Sequence, residues 1–557
     1  MFNPAKGFGN RRAGKGRKKE MSEVPSFEVI IIGAGLAGMT AAYAAQAEGV
    51  RVLLIDRGAV GRGTNSALAN GLFASPTVDY SPEAFARDTI QVGRKINNRA
   101  SVRQIAEEAL ERMIFLKERG LPLKEGKGHF LVLTPGPESI PGLIMVKSLA
   151  ENLLKLPGIT VKRNVYITEL FGRDRISGVK GFDEEGQDLV LGAPAVILAT
   201  GGAGAIYRRN DNQKGIMGQG YALAAKAGLA LWDMEFVQFY PLVLAEPRRP
   251  SLLIYPPYPD SLRLINSAGN DLLTQWGLGP LNKATLTQRD RLSILLYEEG
   301  QKGPVYLDCR EVPEGDWDPL RLSLFKKIPF DPQEKCLALA PATHFFMGGL
   351  RTDPLGETRL PGLFACGEVA WGLHGANRRG GNALTECAVM GHIAGRQAAL
   401  YARRHPLNGS IRLEKGPGWT PGERPVLSQL RDLRNYLRER AWDYAGILRT
   451  EKGLRQGLAD MEGLGSQLEN LRPLTIEERR LKEDLLSGVL VLKAVLTASL
   501  GRQESRGSFS RLDFPLEDDR NWLKNSCLTY KPEEAGFRLR YEPVRVESDQ
   551  LKDSDSI

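Results

Sequence analysis

Gly33, Gly35 and Gly38, with Asp56 eighteen residues beyond the last of them, have the types and spacing of a dinucleotide site. Gly33 permits a tight turn, Gly35 lets the backbone come close to a pyrophosphate, and Gly38 lets a helix pack against a strand. Leu36 and Ala37 open that helix, whose free N–H groups and positive dipole end would face the phosphates. Asp56 sits where a carboxylate accepts from an adenosine ribose hydroxyl, with Arg57 beside it. These residues need a strand, a turn, a helix and a second strand to position them. Residues 29–32 are a β-branched apolar run, an Ala-rich helix follows, and residues 51–55 form a second strand ending at the acid. The chain therefore contains a βαβ unit.

Two later segments return to the same sheet. Residues 195–202 read AVILATGG and residues 362–368 read GLFACGE, each a buried strand running into a glycine turn. Together the three segments resemble those of FAD-containing flavoproteins. The resemblance implies cofactor contacts from Asn65, Ser66, Asn70 and Gly71, from Thr200, Gly201 and Gly202, and from Glu368 to the ribityl chain. It also places Asn382, Ala383 and Leu384 near the isoalloxazine.

Further motifs narrow the resemblance. Residues 366–387 read CGEVAWGLHGANRRGGNALTEC and residues 340–350 read APATHFFMGGL. MEFVQFYP (234–241), LINSAGNDLL (264–273), QRDRLS (288–293) and ESRGSFSRLDFP (504–515) accompany them. These segments, over about residues 27–515, resemble the flavoprotein subunit of succinate dehydrogenase and fumarate reductase, including L-aspartate oxidase. The resemblance implies hydride transfer between flavin N5 and a carbon of a C=C or C–C bond, with a proton exchanged on the other side. Such a site needs cations to hold a carboxylate, plus a proton carrier. By resemblance Arg289 is the proton donor or acceptor, with Arg291 its rival in the same motif, and His344 and Arg378 hold a substrate carboxylate. His374 is expected to bond flavin or backbone rather than substrate.

The departures from the family pattern carry as much meaning. Tyr240 stands where the family has a His that helps hold the second carboxylate, and a phenol supplies one hydrogen bond but no positive charge. The family's proton-relay Glu and Arg have no match in IYPPY (254–258), and a shifted register would use Glu246 and Arg249. Asn65 replaces the His that bonds flavin covalently, so FAD is expected to be non-covalent. Gln219 replaces the usual acid of a Gly-Asp-Gly turn.

The fold class expected is α/β: an FAD-binding Rossmann-type domain with an inserted α+β capping domain and a C-terminal helical domain. The expected boundaries are a disordered basic tail over 1–24, the FAD-binding domain over 25–234 and 336–424, and the cap over 235–335. The helical domain covers 425–520 and a C-terminal tail 521–557. Helices are expected over 426–444, 450–470 and 475–500, where Leu recurs at helical spacing.

Composition excludes several classes. At 557 residues, 42% hydrophobic and 25% charged, the chain is globular with room for two to four domains. No run approaches the ~18 to 20 apolar residues of a membrane span. Residues 1–20 hold seven Lys or Arg against one Glu, so six of the nine net positive charges lie in that stretch. The body is therefore nearly neutral, which argues against nucleic acid as a partner. Cys309, Cys336, Cys366, Cys387 and Cys527 are scattered without a CxxC pair, whereas iron–sulfur clusters and structural zinc need clustered thiolates. No metal is expected, and the expected setting is the cytoplasm, with contact to the inner face of a membrane only through partners. The expected partners are a small carboxylate substrate and an iron–sulfur electron-transfer subunit. The alternatives are an electron-transfer subunit with a degenerate pocket, or an enzyme like L-aspartate oxidase.

Overall fold

The computed structural model describes residues 27–136, 139–247, 251–313, 334–407 and 419–544, with Asp316 and Asp331. The basic tail over 1–24, most of the acidic C-terminal end and Arg249 lie outside the described residues.

The dinucleotide unit forms as its residues require. Val29–Ile32, Leu36–Ala47 and Val52–Ile55 are strand, helix and strand. Their strands belong to a parallel five-stranded sheet in the order Leu363–Ala365, Ala195–Leu198, Val29–Ile32, Val52–Ile55, Ile159–Lys162. The apolar runs are continuous because both faces of this sheet are covered. Ile30 and Ile32 enter one core, with Met217, Tyr221 and the helical domain. Val29 and Ile31 enter the other, with the helices Leu36–Ala47 and Asn382–Arg404. Those two helices pack so closely that a Cβ on Gly395 would meet the Ala41 carbonyl at 2.2 Å. Gly391 likewise meets the Ala37 carbonyl, so the two helices run side by side from the first turn of Leu36–Ala47 onward.

The inserted cap has its own four-stranded sheet, Val237–Leu244, Leu337–Phe346, Val305–Asp308 and Arg263–Asn266, all antiparallel. Leu337–Phe346 pairs with Val237–Leu244 in a register that sets Tyr240 opposite Ala342 and Phe239 opposite Thr343, and its far end runs into the cofactor-binding part. One strand thus ties cap to cofactor domain.

The helical domain consists of Leu427–Ala445, Glu451–Asn470 and Ile476–Gly501. The last begins with a reciprocal cap, Thr475 Oγ1 accepting from the Glu478 N–H while Glu478 accepts from the Thr475 N–H. Ile476–Gly501 corrects the expectation that no segment is apolar enough for a membrane span: by length and composition it is, and 78% of its most apolar window is buried inside the protein. Its apolar character on every side serves a helix enclosed by others. Beyond it, Lys524–Lys531 and Gly536–Pro543 form a hairpin that extends a second five-stranded sheet next to Leu231–Trp232. Nothing local in the sequence pairs segments nearly 300 residues apart.

Candidate active site

The glycine turn opens onto a cavity of about 330 Å³. Gly33, Gly35, Leu36, Ala37, Asp56, Arg57, Asn65, Ser66, Thr200, Gly201, Gly202, Glu368 and Gln219 all line it. Gly33 holds φ +104°, and a Cβ there would meet the Ala199 carbonyl at 2.3 Å, so only glycine makes this turn. Gly38 lies behind the wall, packed against the Gly33 carbonyl as helix–strand packing requires. Asp56 closes the turn by accepting from the Ala34 N–H at 2.9 Å and the Gly58 N–H at 2.8 Å. Ser66 Oγ accepts from the Leu36 N–H at 3.1 Å, at the helix N-terminus.

Asn70, Gly71, Asn382, Ala383 and Leu384 are not on this wall. Asn70 accepts from the Leu72 N–H, Gly71 abuts Val132 and Pro141, and Asn382 donates to Thr89 Oγ1 at 3.0 Å. Gln219 donates to the Ile167 carbonyl at 2.6 Å. A groove of about 650 Å³ lined by Arg99, Trp232, Arg351 and Trp371 is larger, but none of the expected cofactor or catalytic residues falls in it.

The cofactor fits the groups present. Thr200 Oγ1 on the cavity wall is buried without a protein partner, as are Asn382 Oδ1, His374 Nδ1 and Arg289 Nε. Buried polar atoms are ordinarily hydrogen-bonded, so Thr200 Oγ1 on the wall marks a place for a polar group of a ligand. Glu368 is buried, accepts from the Phe346 N–H at 3.1 Å, and burial pushes its carboxyl up to about 7 against the opposing pull of that N–H and of Arg378. Hydroxyls of a ribityl chain are suitable donors to such a group.

Next to Glu368 the cations gather. Arg289 is the first residue of the helix Arg289–Lys302, which Ser293 ties to the cap sheet by donating to the Phe239 carbonyl. Arg289 donates through one Nη to Asn377 Oδ1 at 2.9 Å and to the Arg378 carbonyl. Arg291 points away and is exposed, so of the two arginines in QRDR only Arg289 joins the site. Arg378 is buried, donates from Nε to Gln238 Oε1 at 3.1 Å and lies over the Phe345 ring at 4.8 Å. Burial, reinforced by the positive charge of Arg289, lowers Arg378 to about 10. His344 Nδ1 is 2.6 Å from Asp211 Oδ2, and its ring centroid is 5.6 Å from that of Tyr240. The charge of Asp211, which holds His344, acts on Arg378, so the pairs Arg289–Arg378 and His344–Tyr240, drawn from separate segments, lie within electrostatic reach.

His374 commits one ring nitrogen within the protein and leaves Nδ1 without a protein partner. Its Nε2 lies 3.0 Å from the buried carboxylate of Glu386 and its ring stands edge-on to Phe345, because the turn after Trp371 aims it at the helix Asn382–Arg404. Glu246 does not reach the cations: it accepts from the Ala338 N–H at the cap-sheet edge. Sequence reasoning missed Gln238, Asn377 and Asp290, which brace the two arginines, and Asp211, which holds His344. Asn377 was visible in HGANR, one residue before Arg378. Asp211 carried no signal, lying 133 residues from its partner.

Comparison with known proteins bears out the fold. Residues 28–384 match the FAD binding domain family, and residues 434–555 match the fumarate reductase flavoprotein C-terminal family. One subunit of the CoM/CoB fumarate reductase of Methanothermobacter marburgensis is 31% identical, over 92% of this chain and 98% of that protein. An L-aspartate oxidase of Xylella fastidiosa is 30% identical, over 93% and 98%. Among solved structures, the quinol fumarate reductase of E. coli superposes with a TM-score of 0.83 at 26% identity, over 95% of this chain and 98% of that one.

Proposed function

We propose that this chain, which belongs to the fumarate reductase flavoprotein family and is an FAD-dependent oxidoreductase, moves a hydride to or from a carbon–carbon bond beside a carboxylate. The convergence of Arg289, Arg378 and His344 carries this reading. FAD, when bound, supplies a hydride donor or acceptor at N5. Gly33, Gly35, Ser66, Asp56 and Glu368 would hold it, with the helix N-terminus at the pyrophosphate. Asn65 engages both ends of its amide, donating to Asn212 and accepting from the Gln213 N–H. An amide forms no histidyl–flavin bond, so the cofactor is non-covalent and should leave the chain on acid treatment.

Arg378 and His344 would hold the substrate carboxylate, and Arg289 would give or take the proton at the neighbouring carbon. Asn377 and Asp290 fix Arg289 in place; Asn377 donates to Asp290. The far end of the substrate meets Tyr240, buried on the cap sheet. A second carboxylate there would gain no cation from the phenol, and an under-compensated buried charge is costly. The preferred substrate is therefore an unsaturated acid, or its saturated form, with a neutral or bulkier far end.

An assay with a reduced viologen dye and a panel of enoates tests this. Fumarate should be poorer than at least one monocarboxylic enoate, and Tyr240→His should shift the preference toward fumarate by about 5- to 10-fold, the difference between a neutral and a charged hydrogen bond. Wild-type preference for fumarate over every monocarboxylate would return the protein to fumarate or succinate chemistry. Turnover of L-aspartate with oxygen would instead favour the activity named for its L-aspartate oxidase relatives. We further propose an iron–sulfur partner protein, and a cytoplasmic setting in which any membrane contact runs through partners.

A further inference from the structure

We infer that Asp211 is a positioning residue that fixes the tautomer and aim of His344, and with them the binding and protonation of the substrate carboxylate. The inference rests on the reading of His344 as a substrate ligand. Asp211 Oδ2 lies 2.6 Å from His344 Nδ1, and the Asp211 side chain is 8% exposed. Two acceptors at that distance would repel, so a proton lies between them and Nδ1–H donates to the carboxylate. Nε2 is then the only ring nitrogen left for substrate.

The pair is held by the backbone as well as by its own contact. Asn210 bridges in parallel to Thr343, the Thr343 N–H donates to the Arg209 carbonyl at 3.0 Å, and the Asp211 N–H donates to the Thr343 carbonyl at 3.3 Å. The loop carrying Asp211 is therefore fastened by one parallel β-bridge to the strand carrying His344. Asn212 donates to Asp211 Oδ1 at 3.1 Å and itself accepts from Asn65 Nδ2 at 2.6 Å. A continuous chain, Asn65 to Asn212 to Asp211 to His344, thus joins the cofactor wall to the substrate site. Each link is a side-chain amide or carboxylate with its partner fixed, an arrangement that holds a ring more firmly than one contact does.

The chemical consequence depends on which state His344 takes. With Nδ1–H committed to Asp211, a neutral ring presents Nε2 as an acceptor and a charged ring presents Nε2–H as a donor to carboxylate. Either way Nε2 alone faces the substrate, and only as Nε2–H does it donate to a carboxylate. The opposite tautomer would instead set the Nδ1 lone pair against the Asp211 carboxylate at 2.6 Å.

The test uses the FAD-loaded chain with 15N in the rings of its five histidines, His344→Gln assigning the His344 signals. In wild type Nδ1 of His344 should carry a proton, and in Asp211→Asn the proton should move to Nε2, the site free imidazole prefers. This readout needs no substrate, so it is decided separately from the enoate reading. On an accepted enoate, Asp211→Asn should lose about 10- to 100-fold in kcat/KM, as removal of an orienting carboxylate does, with FAD content unchanged. The double variant Asp211→Asn, His344→Gln should be no slower than His344→Gln alone. An unprotonated Nδ1 in wild type, or losses that multiply in the double variant, would overturn the assignment.

Discussion

At Arg289 and Arg378, two guanidiniums share one set of braces without neutralising each other. Arg289 reaches Asn377 and the Arg378 carbonyl, and Gln238 donates to the same two groups. Arg289→Lys should keep FAD bound yet cut turnover by several orders of magnitude, since Lys lacks the planar fork that makes both contacts. Arg378→Ala should raise KM as well as lower kcat, by about 2 to 5 kcal/mol in kcat/KM for a desolvated charge contact. Near-normal steady-state rates for Arg289→Lys would remove it as the proton carrier. Glu368 gives a pH dependence. Its folded carboxyl sits near 7 against 4.5 in the unfolded chain, so the folded chain holds a proton that the unfolded one has lost between those values. Stability of the FAD-free chain should therefore fall as pH rises from about 4.5 to about 7, by roughly 3 kcal/mol at 1.36 kcal/mol per unit. Melting temperatures across that range should fall less for Glu368→Gln than for wild type; parallel slopes would show that Glu368 ionises normally.

Between elements, the helical domain takes part in the cofactor site. Arg57 on the cavity wall donates to Asp484 Oδ2 at 2.6 Å and to the Gly215 carbonyl at 2.7 Å, and its guanidinium lies 4.7 Å from the centre of the Tyr166 ring. Tyr166 donates to the other Asp484 oxygen at 2.9 Å. Asp484 belongs to Ile476–Gly501, so that helix fixes Arg57 on the cavity wall. Asp484→Ala should weaken FAD binding by about 1 to 2 kcal/mol, discounted because Arg57 stays partly in water. Flavin fluorescence titration measures it, and an unchanged affinity would make the contact purely structural. How much of this was legible follows from range. The strand 29–32 and the three long helices announced themselves through period and turn residues, and their ends fall within a residue or two of the expected places. The cavity wall was legible because its glycines and acids stand in short motifs. Asp484, 427 residues from Arg57, and Asp211 were not, because a single carboxylate on a helix or loop looks like any solvated one until the fold brings its partner. Asn382 was legible only in part, since the motif register gave its place at the start of a helix but not its bond to Thr89 Oγ1, 293 residues away.

For the molecule as a whole, the open question is where the electrons go. The sequence supplies one dinucleotide motif, at residues 33–38, and no second for a nicotinamide; it has no CxxCH for haem, and its five cysteines form no CxxC pair. One flavin site and one substrate pocket do not complete a redox circuit, because a reduced cofactor must be refilled or drained by something outside them. The relatives from Methanothermobacter marburgensis and Mycobacterium tuberculosis are themselves named as subunits. We therefore predict that the native chain works in a hetero-oligomer with an iron–sulfur protein. The isolated chain should show negligible turnover with NADH but measurable turnover with a small viologen dye, which reaches the flavin without a docking surface. Purification through a tag on this chain at its native level should recover the partner with it, in constant ratio and with iron in the complex. The opposing outcome is as clear: flavoprotein recovered alone, with fast oxygen-dependent turnover and peroxide formation, would mean that oxygen drains the flavin directly and that no partner is needed.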